Sequence, residues 1–368
     1  MKARAMVQVA ARRLEMQEFE VPVVGASEGL LRVTACGLCG SDVEQYRGHF
    51  AEKGLAVYPV IPGHEPVGVI EELGAEAAAR WGVSVGDRVA LQPVISCGRC
   101  VDCLAGAHHL CKGMFQMASP AYGYLPTTIG HGLWGGYGEY IHLHERTLMH
   151  RLPDLVPDEM ATMYQALAAG IRWAVAVPGA SFSDTVLVMG CGQRGLASVV
   201  ALSSAGVSEI IVTGLARDAF KLELARAFGA THTIVADEED TVARVMEITG
   251  GRGVDIAVDV VPADTAVIGH AVEAVRSGGT IVVAGVKGGN SVATLDTDRM
   301  VYKEITLKAV FTQGADMYRA GIDLLARKLE RLAPMHTHEM KLEDAERAIR
   351  MLGGEIPGEE AICISLHP

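Results

Sequence analysis

Cys39, Ser41, His64 and Glu65 put a thiol, a hydroxyl, an imidazole and a carboxylate on two short segments, Cys39-Gly40-Ser41-Asp42 and Gly63-His64-Glu65. Both segments read as turns. A thiolate and an imidazole are soft and borderline donors that suit zinc. A catalytic zinc takes three protein ligands and keeps a fourth position for substrate. Glu65 is a candidate for the third ligand. A metal held in this way polarises a substrate oxygen. A single histidine is often an ordinary packed residue; His64 stands out because Cys39 accompanies it.

A second metal pattern follows. Cys97, Cys100, Cys103 and Cys111 are spaced C-x2-C-x2-C-x7-C. Four thiolates this close can close a tetrahedral zinc site within one loop. With four protein ligands no position stays open, so such a zinc is structural. His108 and His109 lie inside the loop and are expected at the surface. Cys36 is expected as buried filler.

Gly190-Cys191-Gly192-Gln193-Arg194-Gly195 directly follows the apolar run Thr185 to Met189 and opens a helix from Leu196 to Ala205. A lone G-x-G-x-x-G says little. Between a buried strand and a helix it is a dinucleotide-binding turn. Gly190 allows the tight turn, Gly192 lets the backbone approach a pyrophosphate, and Gly195 lets helix and strand pack closely. The diphosphate then sits on the helix N-terminus. The next strand ends Val212-Thr213-Gly214-Leu215-Ala216-Arg217. Gly214 brings no carboxylate for the ribose hydroxyls and leaves room. Arg217 is near enough to meet a 2′-phosphate. This end leans towards NADP over NAD.

These groups need elements to hold them. The chain has 368 residues, 49% of them hydrophobic, with 42 glycines, enough for two domains and a large core. Residues 1–35 alternate as β-hairpin material, and Val67 to Ile70 and Val85 to Ala90 continue a strand-rich, partly open β domain. Asp42 is placed to cap a short helix from Val43 to Tyr46. The segment 112–134, with Met114, Phe115, Met117, Tyr122, Tyr124, Leu125 and Trp134, has little period and reads as a loop that lines a pocket or packs plainly. Asp158 opens an apolar helix through Ile171. From there strands and helices alternate. Strands are expected at 185–189, 209–213, 231–235, 254–260, 280–284 and 304–309, with helices between them, which makes a doubly wound parallel sheet. The tail carries amphipathic helices at 318–332 and 342–352 and is expected to pack back on the first domain. The fold class is therefore α/β. The division is 1–156, completed by 313–368, and 157–312.

Composition narrows the partners. The net charge is −12 with no basic patch, which argues against nucleic acid. No apolar run is long enough to cross a bilayer. The first residues lack a continuous apolar segment of the signal type, so a cytoplasmic protein is expected. There, eight cysteines point to metal or catalysis before disulfides.

Together Cys39-Gly40-Ser41-Asp42, Gly63-His64-Glu65, the four-cysteine run, Gly135-Gly136 to Glu139-Tyr140 and Gly190 to Gly195 resemble the zinc-dependent alcohol/polyol dehydrogenases of the medium-chain dehydrogenase/reductase superfamily. The resemblance runs nearly end to end. It implies a GroES-like, partly open β-barrel catalytic domain around a Rossmann domain. It implies a catalytic zinc on Cys39 and His64 with Glu65 as an alternate ligand. The family's third ligand, a cysteine or glutamate, corresponds to Gln165, a neutral amide and a poor zinc ligand. Ser41 matches the family's relay hydroxyl. Some members next use a histidine; Glu44 stands there, with His49 nearby, and either could pass the proton to solvent. Asp42 would orient a ligand histidine.

The implied activity is hydride transfer between an alcohol, secondary or cyclic and moderately apolar, and NAD(P), giving a ketone or aldehyde. Homodimers or homotetramers are implied. The alternative is a zinc-free NADPH-dependent enone or quinone reductase on the same fold, favoured by Gln165 and Gly214 and disfavoured by Cys39, His64 and Glu65.

Overall fold

Seven strands come first in chain order: β1 (Lys2–Ala10), β2 (Arg13–Glu20), β3 (Gly29–Gly37), β4 (Glu65–Leu73), β5 (Arg88–Leu91), β6 (Tyr140–Leu143) and β7 (Met149–Arg151). Six more follow: β8 (Thr185–Met189), β9 (Glu209–Gly214), β10 (His232–Val235), β11 (Val254–Asp259), β12 (Val275–Val283) and β13 (Thr306–Ala309). The chain ends on β14 (His336–Lys341) and β15 (Cys363–His367). The computed structural model describes residues 1–54, 56–111, 120–288 and 291–368. It divides into two compact units, Met1–Gln165 with Gly314–Pro368, and Ala166–Gln313.

In the first unit, β1 and β2 form an antiparallel hairpin. The main sheet runs β14-β15-β3-β4-β5-β7, with β6 also on β3. β3 is its organising strand. It has sheet neighbours along both edges, and of its residues only Arg32 is exposed. Along one edge it pairs with β4 from Gly29 opposite Leu73 to Gly37 opposite Glu65. The other edge is shared. β6 takes Gly29 to Arg32, and β15 takes Cys36 and Gly37. The core of this unit includes Leu31, Val33, Ile61, Ile70, Tyr122, Tyr137, Ile349 and Leu366.

The second unit is a six-stranded sheet in the order β10-β9-β8-β11-β12-β13, with every pairing parallel. The strands run both ways from β8, which makes it doubly wound, with the topological switch between β8 and β11. β8 and β11 are buried throughout, as a parallel sheet covered on both faces requires. Helices Gln193–Ser204, Ala219–Ala227, Thr241–Ile248 and Ala266–Ala274 connect its strands. The fold class read from sequence is thus present, a GroES-like β unit and a Rossmann-type unit.

Some expected elements differ. The helix opened by Asp158 is broken into Asp158–Ala161 and Tyr164–Gly170, followed by a wider-wound turn at Ile171–Ala176. Thr162 sits at the break, and its hydroxyl donates back to the Glu159 carbonyl at 2.7 Å. That bond offers the backbone an alternative to a continuous helix. The strand expected at 280–284 begins at Val275, directly where helix Ala266–Ala274 ends. No helix among the described residues is long and apolar enough to cross a membrane.

Candidate active site

The β3–β4 register delivers the first site. Because Gly37 lies opposite Glu65, the residues just beyond the end of β3 face those just before the start of β4. Cys39 lies two residues beyond, and His64 one residue before. The Leu38 amide donates to the Ile364 carbonyl at 3.0 Å, so the C-terminal segment pins this turn. Helix Gly40–Arg47 starts earlier than expected, at Gly40. Cys39 is its N-cap, and Asp42 closes a reciprocal cap by accepting the Cys39 amide at 2.8 Å.

The His64 turn is held as firmly. Gly63 has φ +89°, and a Cβ there would run into the Tyr137 ring and lie 2.9 Å from Cys36 Sγ. The Gly136 amide donates to the Gly63 carbonyl at 2.8 Å and the Tyr137 amide to the Pro62 carbonyl at 3.0 Å. The Gly135–Gly136 motif and buried Cys36 are therefore the wall behind the turn.

Between the turns, Cys39, His64 and Glu65 each present a donor atom, all within 4.8 Å of one another, and all three residues are buried. Asp42 Oδ1 lies 3.4 Å from His64 Nδ1, while Ser41 Oγ is 3.1 Å from Nε2. The Tyr124 hydroxyl is 3.5 Å from Nδ1. Burial opposes the imidazolium, but Tyr124, Asp42 and Cys39 outweigh it and raise the His64 pKa well above its usual value. The same acidic surroundings make the ring a stronger base toward a cation. A buried thiol, imidazole and carboxylate converging on one point fit a zinc ion.

Gln165 is buried beside this set. Its amide nitrogen donates to the His64 carbonyl and, at 3.2 Å, to the Tyr164 hydroxyl. Only its carbonyl oxygen retains lone pairs for a metal. Glu44 is buried, with Oε2 2.7 Å from His49 Nδ1 and Oε1 3.3 Å from Arg47. Ser41 and Glu44 are three apart on one helix and share a face. Of the loop 112–134, residues 112–119, with Met114, Phe115 and Met117, lie outside the described residues. Tyr122, Leu125 and Trp134 belong to the core. Tyr124 alone among the described aromatic residues of that loop reaches His64. In the sequence it stands among the loop's apolar residues, and only the fold shows which hydroxyl points inward.

Cys97, Cys100, Cys103 and Cys111 form the second group of convergent donors. Cys100 and Cys103 sulfurs are 3.4 Å apart, and the Cys97 amide donates to Cys111 Sγ at 3.2 Å. The backbone amides of Arg99 and Cys100 lower the Cys97 thiol to about 6, whereas burial raises Cys103. None of the eight cysteines is in a disulfide. Four clustered thiols without a disulfide fit a structural zinc. His108 bonds Ser96 at 3.1 Å rather than joining them.

In the second unit, Gly190 turns the chain after β8 with φ +103°. A Cβ on Gly195 would strike the Gly190 carbonyl, so helix and strand pack there at the closest approach. A Cβ on Gly192 would meet nothing within 4 Å. The space in front of Gly192 and the N-terminus of helix Gln193–Ser204 suits a diphosphate. Gln193 and Arg194 open that helix, and the Arg194 guanidinium lies 5.8 Å from the Trp173 ring centroid. Arg217 is exposed beyond β9.

One expectation is corrected at Gly214. It does not leave room: a Cβ there would lie 2.6 Å from Cys191 Sγ and 2.9 Å from a Leu222 methyl. Packing demands the glycine, so the missing carboxylate says little about NADP. Past it, Asp218 pairs with Lys221 at 2.7 Å, a carboxylate four residues after the strand that sequence reading overlooked.

Known proteins share this pair of units. Residues 25–154 match the alcohol dehydrogenase GroES-like domain, and residues 195–327 match the zinc-binding dehydrogenase family. A probable alcohol dehydrogenase of Mycobacterium tuberculosis is 39% identical over 369 aligned residues, covering 99% of this chain and 98% of the relative. The chain belongs to the zinc-binding alcohol dehydrogenase family. It is an oxidoreductase that moves hydride between an alcohol and NAD(P). Sorbitol dehydrogenase of Bacillus subtilis is 30% identical, covering 94% of this chain and 92% of its own. An alcohol dehydrogenase structure from Thermotoga maritima superposes with a TM-score of 0.86 at 26% identity, with both chains fully covered.

Within such a dehydrogenase, an acidic residue placed at 214 to recruit NAD is expected to fail for steric reasons. Gly214→Asp should cost roughly 1–3 kcal/mol or more through overpacking and lower the melting temperature. Titration with NADH should show no gain in affinity over NADPH; a stable variant with a clear gain would contradict the packing argument.

Proposed function

We propose that this chain is an alcohol dehydrogenase acting on small secondary alcohols at Cys39, His64 and Glu65. The convergence of those three buried donors beside the Ser41 and Tyr124 hydroxyls carries the reading. Zinc bound there would supply the Lewis acidity that makes the substrate hydroxyl acidic. The dinucleotide held by Gly190, Gly192, Gln193, Arg194 and Gly195 would supply the hydride acceptor. Arg217 is the group available to a 2′-phosphate, and NADP is the slightly preferred form.

The chain's own residues do the rest. Asp42 holds the His64 ring by Nδ1 and so presents Nε2. Gln165 fixes the His64 carbonyl, and its oxygen is one of two choices, with Glu65, for a third ligand. Ser41 takes the substrate proton. Glu44 and His49, already in contact, lead it away to solvent, because one helix face carries both Ser41 and Glu44. Tyr124 adds a hydroxyl that favours substrates with a second polar group. Relatives named for sorbitol, for erythritol or L-threitol, and for L-threonine carry such substrates in their names. The zinc-free reductase loses one of its supports, since Gly214 answers to packing.

Oligomerisation has a visible edge. β13 ends the six-stranded sheet, and all its residues are exposed, next to Val301, Tyr302 and Phe311. A second copy adding its own β13 would extend the sheet and cover them.

Cys39→Ala is expected to cut alcohol oxidation at least about 100-fold while NAD(P)H binding, read by fluorescence, stays as in the native protein. Retained turnover would remove Cys39 from the chemistry and turn attention to enones. In sedimentation, Leu307→Lys with Phe311→Lys should convert the native oligomer to a smaller species; an unchanged species would place the interface elsewhere.

A further inference from the structure

A buried ion pair lies in the second unit, outside every role assigned so far. Lys287 and Asp259 are both buried. The Lys287 ammonium donates to Asp259 Oδ1 at 2.9 Å and lies 2.7 Å from Oδ2. It also donates to the Val261 carbonyl at 2.7 Å. Asp259 Oδ1 in turn accepts the Val261 amide at 3.0 Å. The carbonyl and the amide of Val261 are therefore both fixed by this one pair.

Its place in the sheet is specific. Asp259 ends β11 and is registered opposite Met189, the last residue of β8 before Gly190. That is the topological switch of the sheet, where ligands of such folds bind. The segment after β12 is drawn in, because the Ala284 and Gly285 amides both donate to the Asp259 carbonyl at 2.9 Å. The Val260–Val261 turn held by the pair is packed on the glycine turn. Val261 Cγ2 lies 3.1 Å, and Val260 Cγ2 3.4 Å, from where a Gly190 Cβ would be.

A buried ion pair is a weak source of stability. Desolvating two charges offsets most of the attraction, and an apolar pair of similar volume often serves as well or better. What the pair provides that an apolar pair cannot is direction. It fixes a peptide group at one position and orientation.

We propose that Lys287 and Asp259 are positioning residues of the dinucleotide site: they hold the Val260–Val261 turn against Gly190, and so set how tightly the second unit binds its cofactor. This rests on the reading that the dinucleotide binds at Gly190–Gly195. Neither residue needs to touch the nucleotide. A displacement of about 1 Å in a positioned turn can cost up to 100-fold in function.

The test separates placement from stability. Lys287→Met or Asp259→Leu alone leaves a buried charge unpaired and should lower the melting temperature sharply. The double variant Lys287→Met with Asp259→Leu removes both charges and should recover most of it. NADH and NADPH are the probes, titrated by fluorescence into the full chain. The apolar double variant is expected to bind the preferred nucleotide roughly 10- to 100-fold more weakly than the native chain. Lys287→Gln with Asp259→Asn, which keeps neutral donors and acceptors for Val261, should recover much of that loss. An apolar double variant that binds as tightly as the native chain overturns the proposal. A native chain that binds neither nucleotide overturns the site reading, and the proposal with it.

Discussion

The pairing of β3 with β4 is the constraint on which the first site depends. One register, Gly37 opposite Glu65, brings a thiol and an imidazole 25 positions apart to one point. A slip of one residue would exchange the faces of β4 and carry Glu65 away from Cys39. The register is secured from the opposite edge of β3, by β6 along its first half and by β15 at its end. The last strand of the chain is thus part of what positions a site formed near the start. The cost of burying a carboxylate, an imidazole and a thiol together is large unless a cation or protons compensate. This arrangement is therefore suited to metal, and Asp42 and Ser41 are suited to tuning it.

The second unit solves a different problem with backbone. A diphosphate needs amide donors and room for close approach, and β8, its glycine turn and helix Gln193–Ser204 supply both. The turn must also be backed. Cys191 fills the space beside Gly214, and the Val260–Val261 turn fills the space beside Gly190. Glycines here divide by the reason for their absence of a side chain. Gly192 opens on empty space that a ligand can use, while Gly195 and Gly214 face protein.

Much of this was legible in the chain. Cys39, His64 and Glu65, the four cysteines and the glycine turn are local patterns whose chemistry follows from residue type and spacing. The alternation of strands with helices after residue 157 specified the parallel sheet. Other features were not legible because they depend on partners distant in sequence. The room expected at Gly214 is occupied by Leu222, which only the helix packing reveals. Tyr124 looked like one apolar loop residue among several, and its hydroxyl gains meaning from His64. Lys287 and Asp259 are 28 residues apart and carry no motif; they meet because β11 and β12 are neighbours. At the break after Ala161 the Thr162 hydroxyl takes up the Glu159 carbonyl, a local bond that no sequence period announces.

The central claim is that the two groups of convergent donors both hold zinc, and that the Cys39 group is the one that meets substrate. Anomalous diffraction from crystals of the zinc-loaded protein, recorded on both sides of the zinc absorption edge, tests it directly. Two peaks are expected, one among Cys97, Cys100, Cys103 and Cys111, and one touching Cys39 Sγ and His64. The second map would also show whether Glu65 or Gln165 completes the set. A single peak at the four cysteines, with none at Cys39, would contradict the account.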